Sequence, residues 1–453
     1  MNFPSYVSLL AVSTTILTAQ SRSVPSGQAT SDVIPLSLSD AMDRGLKHNL
    51  GLITGDQAAR LAEAARLRAL SGLLPNINAR SSETSQQVNL KALGFGGFPG
   101  FPSVIGPFRI FDVRAYLSQS IFDYSAIAAN RSGSENVKAA RLAYQNARDA
   151  VVLAVVSLYL QAIMGTARIE SASAQVTTAN ALFKQATDLK NAGVMAGIDV
   201  LRAQVEMQAE QQRLIFHRNE FEKHKLNLAR AIGLPLGQQF RLSDRIPYGP
   251  PPTLALETAL QQAYETRPDY QSALAAERAA ELQKKAAQAE RLPSLYFDGN
   301  YGAIGSGPFE SHGTFVASVG VRVPVFDGGR IKADVLRADA ELEQRKAETG
   351  DLRGRIDYEV RTAFLDLKAG GDQVEVAQSA LQLANEQVRH ARDRFQAGVA
   401  NSIEVVQAQQ ALAAANENYT SALFAYNLAK ASIARALGVS EKRAKEFLGA
   451  TAQ

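Results

Sequence analysis

The sequence predicts a mainly α-helical chain with a small β component, built as one large unit written twice. Three observations lead there. Ala192-Gly193-Val194, Ile198-Asp199-Val200 and Ala203-Gln204 recur with the same spacing as Ala397-Gly398-Val399, Ile403-Glu404-Val405 and Ala408-Gln409, 205 positions downstream. A period this long marks a duplicated assembly of elements rather than a short solenoid repeat. Each copy also holds more than sixty consecutive residues without proline, rich in Ala, Leu, Glu, Arg and Gln, which as continuous helix would reach about 100 Å. Finally, each copy carries segments in which apolar and polar residues alternate with the period of two that marks a strand.

Composition bounds the setting. The 453 residues carry a net charge of only +4, with Lys and Arg interleaved with acids, so nothing marks a nucleic-acid surface. Absence of cysteine excludes disulfides, thiolate metal sites and an N-terminal lipid-carrying Cys. Residues 1–21 read as a secretory signal: Val7 to Leu17 is apolar or small, and Ala19-Gln20-Ser21 offers a small-x-small cleavage pattern, although no Lys or Arg precedes it. Residues 150–167 run eighteen positions without a charge, the length at which a membrane helix becomes a candidate. Their duplicate carries Arg355, Asp357, Glu359, Arg361, Asp366 and Lys368. Two copies of one unit should not differ in crossing a bilayer, so the segment reads as a buried helix face and no transmembrane helix is expected.

The elements follow in order. The first unit, 36–233, opens with a helix over 38–73, ended by Leu74-Pro75 because the residue before proline is pushed towards extended geometry. Strands about 76–89 and 109–122 follow, the former too polar to stand on pattern alone. After the corner Phe122-Asp123 come the long helix 125–191, a glycine turn and a returning helix 198–232. A linker over 234–253, with Pro235, Pro247, Pro250, Pro251 and Pro252, suits neither helix nor central strand. The second unit, 254–438, repeats the plan: an opening helix 256–291, Leu292-Pro293, strands about 294–302 and 314–326, the corner Phe326-Asp327-Gly328, a long helix 329–396 and a returning helix 403–437. Residues 439–453 read as a polar tail. Opening and returning helices have about half the long helix's length, so two stacked end to end would match it.

The strands set an arithmetic problem. Phe315, Ala317, Val319, Val321, Val323 and Val325 face one way and Thr314, Ser318 and Arg322 the other; Phe111, Val113, Ala115 and Leu117 oppose Asp112, Arg114, Tyr116 and Ser118. On pattern alone a half-buried soluble sheet and an outer-membrane barrel strand stand level. If the strands face lipid, four cannot close a barrel and an open edge cannot sit in hydrocarbon, so several chains must pool them. The Gly-, Phe- and Pro-rich connection 90–108 and its shorter counterpart 303–313 suit exposed loop tips. Gly94-Phe95-Gly96-Gly97 lacks the third glycine and the βαβ setting of a dinucleotide fingerprint.

This layout, with its two turns in register and the junction Val325-Phe326-Asp327-Gly328-Gly329-Arg330, resembles the TolC family of outer-membrane efflux ducts over about residues 36–438. The resemblance implies a homotrimer in the outer membrane of a Gram-negative bacterium, with a twelve-stranded barrel in the lipid continued by a helical tunnel across the periplasm. It further implies no catalysis, cofactor or metal, and export of small toxic molecules or proteins with an inner-membrane pump and a periplasmic adaptor. It assigns the hairpin tips (Gly193, Val194, Gly197, Gly398, Val399, Asn401) to the periplasmic entrance and adaptor contact, and Phe122, Asp123, Phe326, Asp327 and Gly328 to strand–helix corners. Asp199 matches an acidic position near the entrance and Glu404 one acid of its constriction. The second constriction acid falls on Gln407, the family's tip tyrosine on Phe395 and a basic residue of the closed state on Ala400, so the polar latch looks thin.

Elementary physics accounts for part of the tip. Gly193 and Gly398 stand where a long helix must stop, a position favouring left-handed backbone. Asn401 is a candidate N-cap with Glu404 as its capping partner, and a helix dipole alone favours an acid at Asp199 and Glu404. The functional alternative is a ring of six carboxylates in a trimer, attracting cations. Lys190 is a candidate partner for Asp199 or Glu404. An enzyme finds little support. The five histidines (His48, His217, His224, His312, His390) lack the i, i+4 pair of zinc-protease helices, and no nucleophile elbow or phosphate loop occurs. The other competitor is a periplasmic structural coiled-coil protein, which would suit the long helices but leave the duplicated strands unexplained.

Overall fold

The computed structural model describes residues 32–94, 100, 102–244, 249, 254–397, 399 and 402–448. The signal expected over 1–21, most of the proline cluster of the linker, Gly398, Ala400 and Asn401 lie outside the described residues. The first unit runs β1 (Ile34–Leu36), α1 (Leu38–His48), α2 (Leu50–Ser71), β2 (Asn76–Asn89), β3 (Val104–Phe122), α3 (Tyr124–Asn191), α4 (Gly197–Ala231) and β4 (Phe240–Leu242). The second runs α5 (Leu256–Thr266), α6 (Pro268–Ala289), β5 (Ser294–Gly305), β6 (Ser311–Arg322), α7 (Arg330–Gln396), α8 (Ser402–Ala436) and α9 (Ser440–Phe447).

The opening helices are not continuous. α1 starts on a capping box, in which Ser37 Oγ accepts from the Asp40 N–H at 3.1 Å and Asp40 Oδ2 accepts from the Ser37 N–H at 3.3 Å. It ends at Asn49, whose own side chain starts α2 by accepting from the Gly51 N–H at 2.9 Å. In the second unit the break falls at Arg267, because Pro268 restricts its predecessor and fits the first turn of α6 without a missing bond. A continuous helix over 256–291 is thus excluded by a proline inside it.

The long helices, of 68 and 67 residues, run from the sheet to the hairpin tips. α2 and α6 pack on the sheet-proximal half of α3: Ser132 and Ser272 donate to Ala279 O and Ala139 O, each at 2.8 Å, and Gly133 lies against Arg66. α4 and α8 take the distal half, where Gly165 meets Phe221 and Arg168 pairs with Glu417. Half-length helices therefore succeed one another along one long helix. The uncharged stretch of α3 is long and apolar enough to cross a membrane, but half of it is buried inside the protein. Val152, Val155, Val156, Tyr159 and Leu160 form the first unit's core with Leu36, Met42, Leu228 and Phe240. A second core around Ile356, Val360, Val374, Tyr426 and Leu437 serves the second unit.

Two peripheral segments gain structure that their composition hides. Phe240–Leu242 in the linker pairs in parallel with Ile34–Leu36. The expected polar tail contains α9: Asp149 on α3 accepts from the Glu441 N–H at 2.8 Å, Arg148 grips the Glu441 carboxylate, and Phe447 and Leu448 are buried.

The four longer strands form one antiparallel sheet in the order β2-β3-β5-β6. The polar stretch 76–89 is a full strand, paired with β3 from Asn76↔Ser118 to Asn89↔Val104 with one register shift between Gln86 and Val88. Register sorts the two faces. Ala79, Ala115, Tyr301 and Phe315 share one row and Ile77, Leu117, Gly299 and Ala317 the next, while Asn78, Tyr116, Asn300 and Val316 share a row on the opposite face. The last strand stops at Arg322, four residues before the expected 326, since Pro324 has no N–H to extend a ladder.

Candidate functional site

The distal ends of α3–α4 and α7–α8 form two hairpins related by the duplication. Ala186, Val200 and Ala203 pack in the first; Ala391, Val405 and Ala408, their counterparts 205 positions on, pack with Val388 in the second. Small residues at these positions let antiparallel helices approach closely. α3 ends at Gly193, in left-handed backbone (φ 74), with the Val194 N–H donating to Leu189 O at 3.0 Å and the Gly193 N–H to Lys190 O at 2.9 Å. That pattern satisfies the last carbonyls of a helix and needs a residue without steric cost at positive φ. In the second tip the Val399 N–H donates to Arg394 O at 3.0 Å, the matching bond. α4 begins at Gly197 without a side-chain cap.

The acids fall at the starts of the returning helices, Asp199 in α4 and Glu404 in α8. Each meets an arginine that the sequence reading passed over. Arg202 Nη1 lies 3.1 Å from Asp199 Oδ1, one helical turn on, and Arg394 Nε lies 3.1 Å from Glu404 Oε1, bridging α7 to α8. Among the described residues Lys190 forms no ion pair; its Cε stands 3.8 Å from where a Cβ on Gly197 would lie. The expected Lys190 pair is therefore not formed within one chain: Asp199 meets Arg202 on its own helix and Glu404 meets Arg394. Arg202 was legible as an i+3 partner, whereas Arg394 needs the hairpin's tertiary geometry. The acids are thus charge-balanced in place, which weakens the cation attraction expected of a carboxylate ring. Phe395 is half-buried against Val405 and Ala408, and Gln407 is exposed. Val194, Ile198, Leu201 and Val399 are exposed apolar side chains around the two turns.

Farther from the tip, α4 carries an acid pair that sequence reasoning missed. Glu210 is 4 % exposed, with Arg213 Nη1 at 2.6 Å, and Glu206 accepts from Gln410 Nε2 at 3.3 Å. Burial pushes the Glu210 carboxyl above its ordinary range; Arg213 opposes this and the neighbouring Glu206 adds to it.

At the opposite end of the long helices, the corners turn strand into helix. Phe122 ends β3, and Asp123 caps α3 by accepting from the Ala126 N–H at 3.0 Å. In the second unit Asp327 accepts from the Gly329 and Ile331 N–H groups at 3.1 and 2.8 Å, which holds its carboxyl below the usual range. Gly328 and Gly329 have φ 63 and 92, and Phe326 is exposed on one chain. Among the described residues no group of three or more His, Cys, Asp or Glu side chains stands ready to hold a metal.

Comparison with known proteins bears on this geometry. Residues 46–234 and 259–439 match the family model described as outer membrane efflux protein. The alkaline protease secretion protein AprF of Pseudomonas aeruginosa is 24% identical over 347 residues, 74% of this chain and 71% of that protein. The pyoverdine export outer membrane protein OpmQ of the same species is 23% identical over 420 residues, covering 88% and 85%. Among solved structures, the CmeC outer membrane channel of Campylobacter jejuni superposes with a TM-score of 0.78 at 18% identity, over 91% of this chain and 89% of that one.

Proposed function

This chain belongs to the outer membrane efflux protein family, the TolC-type exit ducts of the outer membrane that extend into the periplasm, and on that premise we propose that three copies close one duct. The observation that carries this is the sheet: four strands with β2 and β6 as open edges and one apolar face. Lipid cannot satisfy unpaired edge groups, so β6 of one chain must pair with β2 of the next. Three chains of four strands close a ring large enough for a lumen, with Phe315, Tyr301 and Leu117 towards lipid and Asn78, Tyr116 and Asn300 towards water.

The long helices would continue that ring as a tunnel, with the two hairpin tips at its periplasmic mouth. There Asp199, Glu404, Gln407, Phe395 and Lys190 line the entrance in this reading. Val194, Ile198, Leu201 and Val399 offer an adaptor an apolar contact. An inner-membrane pump supplies the energy, and the chain itself performs no catalysis. The cargo is then passive freight, protein as for AprF or a small molecule as for OpmQ.

Light scattering of the detergent-solubilised protein from outer membranes, corrected for bound detergent, tests this. Three chains per detergent-dependent particle are expected. A monomer that stays soluble without detergent would overturn the trimeric duct and favour a periplasmic coiled-coil protein.

A further inference from the structure

The water-facing side of the sheet carries charges whose arrangement the duct alone does not require. Register places Arg80 on β2 directly opposite Arg114 on β3, with Gly302 and Thr314 completing the row on β5 and β6. A Cβ at Gly302 would stand 2.5 Å from Arg114 Cα and 2.8 Å from its Cγ, so the glycine leaves the space that Arg114 occupies. Arg114 Nε lies 2.9 Å from Asp112 Oδ1, an acid two residues away on the same face. The acid nearest Arg80 is that same Asp112, diagonal to it across the ladder and already paired with Arg114, so two guanidiniums share one carboxylate. Among the described residues Arg80 itself forms no ion pair, and its guanidinium lies over the Tyr116 ring at 5.7 Å from the centroid. Like charges facing one another across a ladder destabilise it, so sheet stability does not account for the pair.

Position matters as much as charge. Arg80 stands four residues from the first residue of β2, roughly 13 Å along the strand at about 3.3 Å per residue, near half the height of a membrane-spanning strand. Asp298, another acid on this face, lies in the row of Asn76 and Ser118, four positions away. That separation exceeds the Debye length of about 8 Å at physiological salt. Arg322, over the Tyr296 ring at 5.1 Å, adds a second positive level near the periplasmic end of the sheet. At the tips, by contrast, Arg202 and Arg394 balance Asp199 and Glu404.

We propose that Arg80 forms a mid-barrel belt, three guanidiniums in the trimer, that makes this duct favour anions: chloride and small organic carboxylates or phosphates. The inference rests on the trimeric duct reading, and rings of basic side chains are a known physical basis for anion preference in pores. Purified trimers in planar bilayers under a KCl gradient test it. The wild-type reversal potential is expected on the chloride side. Arg80→Gln should cut the chloride-to-potassium permeability ratio about twofold or more, and Arg80→Lys should preserve it. Arg109→Gln, on the apolar face with Glu83 at 3.7 Å, should leave the ratio unchanged. The contrast between wild type and Arg80→Gln should shrink in 1 M salt, where the Debye length is about 3 Å. Channels that prefer potassium, or an Arg80→Gln ratio equal to wild type, would overturn the belt while leaving the duct intact. A particle that is not trimeric, or that never conducts, would overturn both.

Discussion

Gly193 shows how one residue carries an architectural decision. Its φ of 74 lets the Val194 and Gly193 N–H groups close the end of a 68-residue helix. A Cβ there would meet open space, so Gly193→Val tests backbone strain and not a clash. The expected loss is about 1–2 kcal/mol, read as faster proteolytic nicking at 192–196 with the thermal unfolding of the rest little changed. Glu210 makes a different prediction. Its folded pKa is raised above the unfolded one, so protonation accompanies folding. Stability from this group is full below the unfolded value of about 4.3 and is lost as pH rises through the folded value. Glu210→Gln should therefore stabilise the α3–α4 hairpin at neutral pH and flatten its melting temperature across that window. A mutant melting profile with the wild-type pH slope would count against a raised Glu210 pKa. Both residues show what was readable: the glycine announces itself by its duplicate, while a buried acid looks like any helix-surface Glu until its neighbours are placed.

Elements were legible in proportion to their length and to having a twin. The long and returning helices repeat 205 positions apart and carry helix formers throughout, so pattern and duplication agree. The first opening helix hides its break because Asn49 can sit in a helix as easily as cap one, whereas Pro268 was a stop signal in plain view. β2 was hard to read because Ser81, Glu83 and Ser85 occupy its apolar-face positions, so alternation is absent and only pairing with β3 defines it. α9 was missed because it has eight residues, most of them charged, and its worth lies in where Phe447 lands. Phe447 is 7 % exposed against the second unit's core, and Asp149 and Arg148 reach across from α3 to hold the helix start. Phe447→Ala should then cost about 3–5 kcal/mol, seen as a lower unfolding temperature in detergent. An unchanged melting curve would make α9 an appendage after all.

At the scale of the whole molecule, one question is which sheet face meets lipid, since every other assignment depends on it. Adjacent residues on a strand point to opposite faces, which makes neighbouring substitutions a direct probe. Ala317 pairs with Gly299 in the apolar row, and Ser318 pairs with Asp298 in the polar one. An arginine on the lipid side costs up to about 2–4 kcal/mol, less towards either interface, and a trimer would carry that cost three times, whereas an arginine facing the lumen stays hydrated. Ala317→Arg should sharply reduce the trimer recovered from outer membranes, and Ser318→Arg should assemble nearly as wild type. The two chains have the same charge, length and helix content, so a difference between them reports orientation alone. Equal assembly would mean that the sheet is not embedded with this face outward. The reverse order, with Ser318→Arg the damaging change, would turn the barrel inside out and move Arg80 from water to lipid, where an unpaired guanidinium is least tolerated. That physical cost is why the polar row, with its unmatched arginine, belongs on the inside.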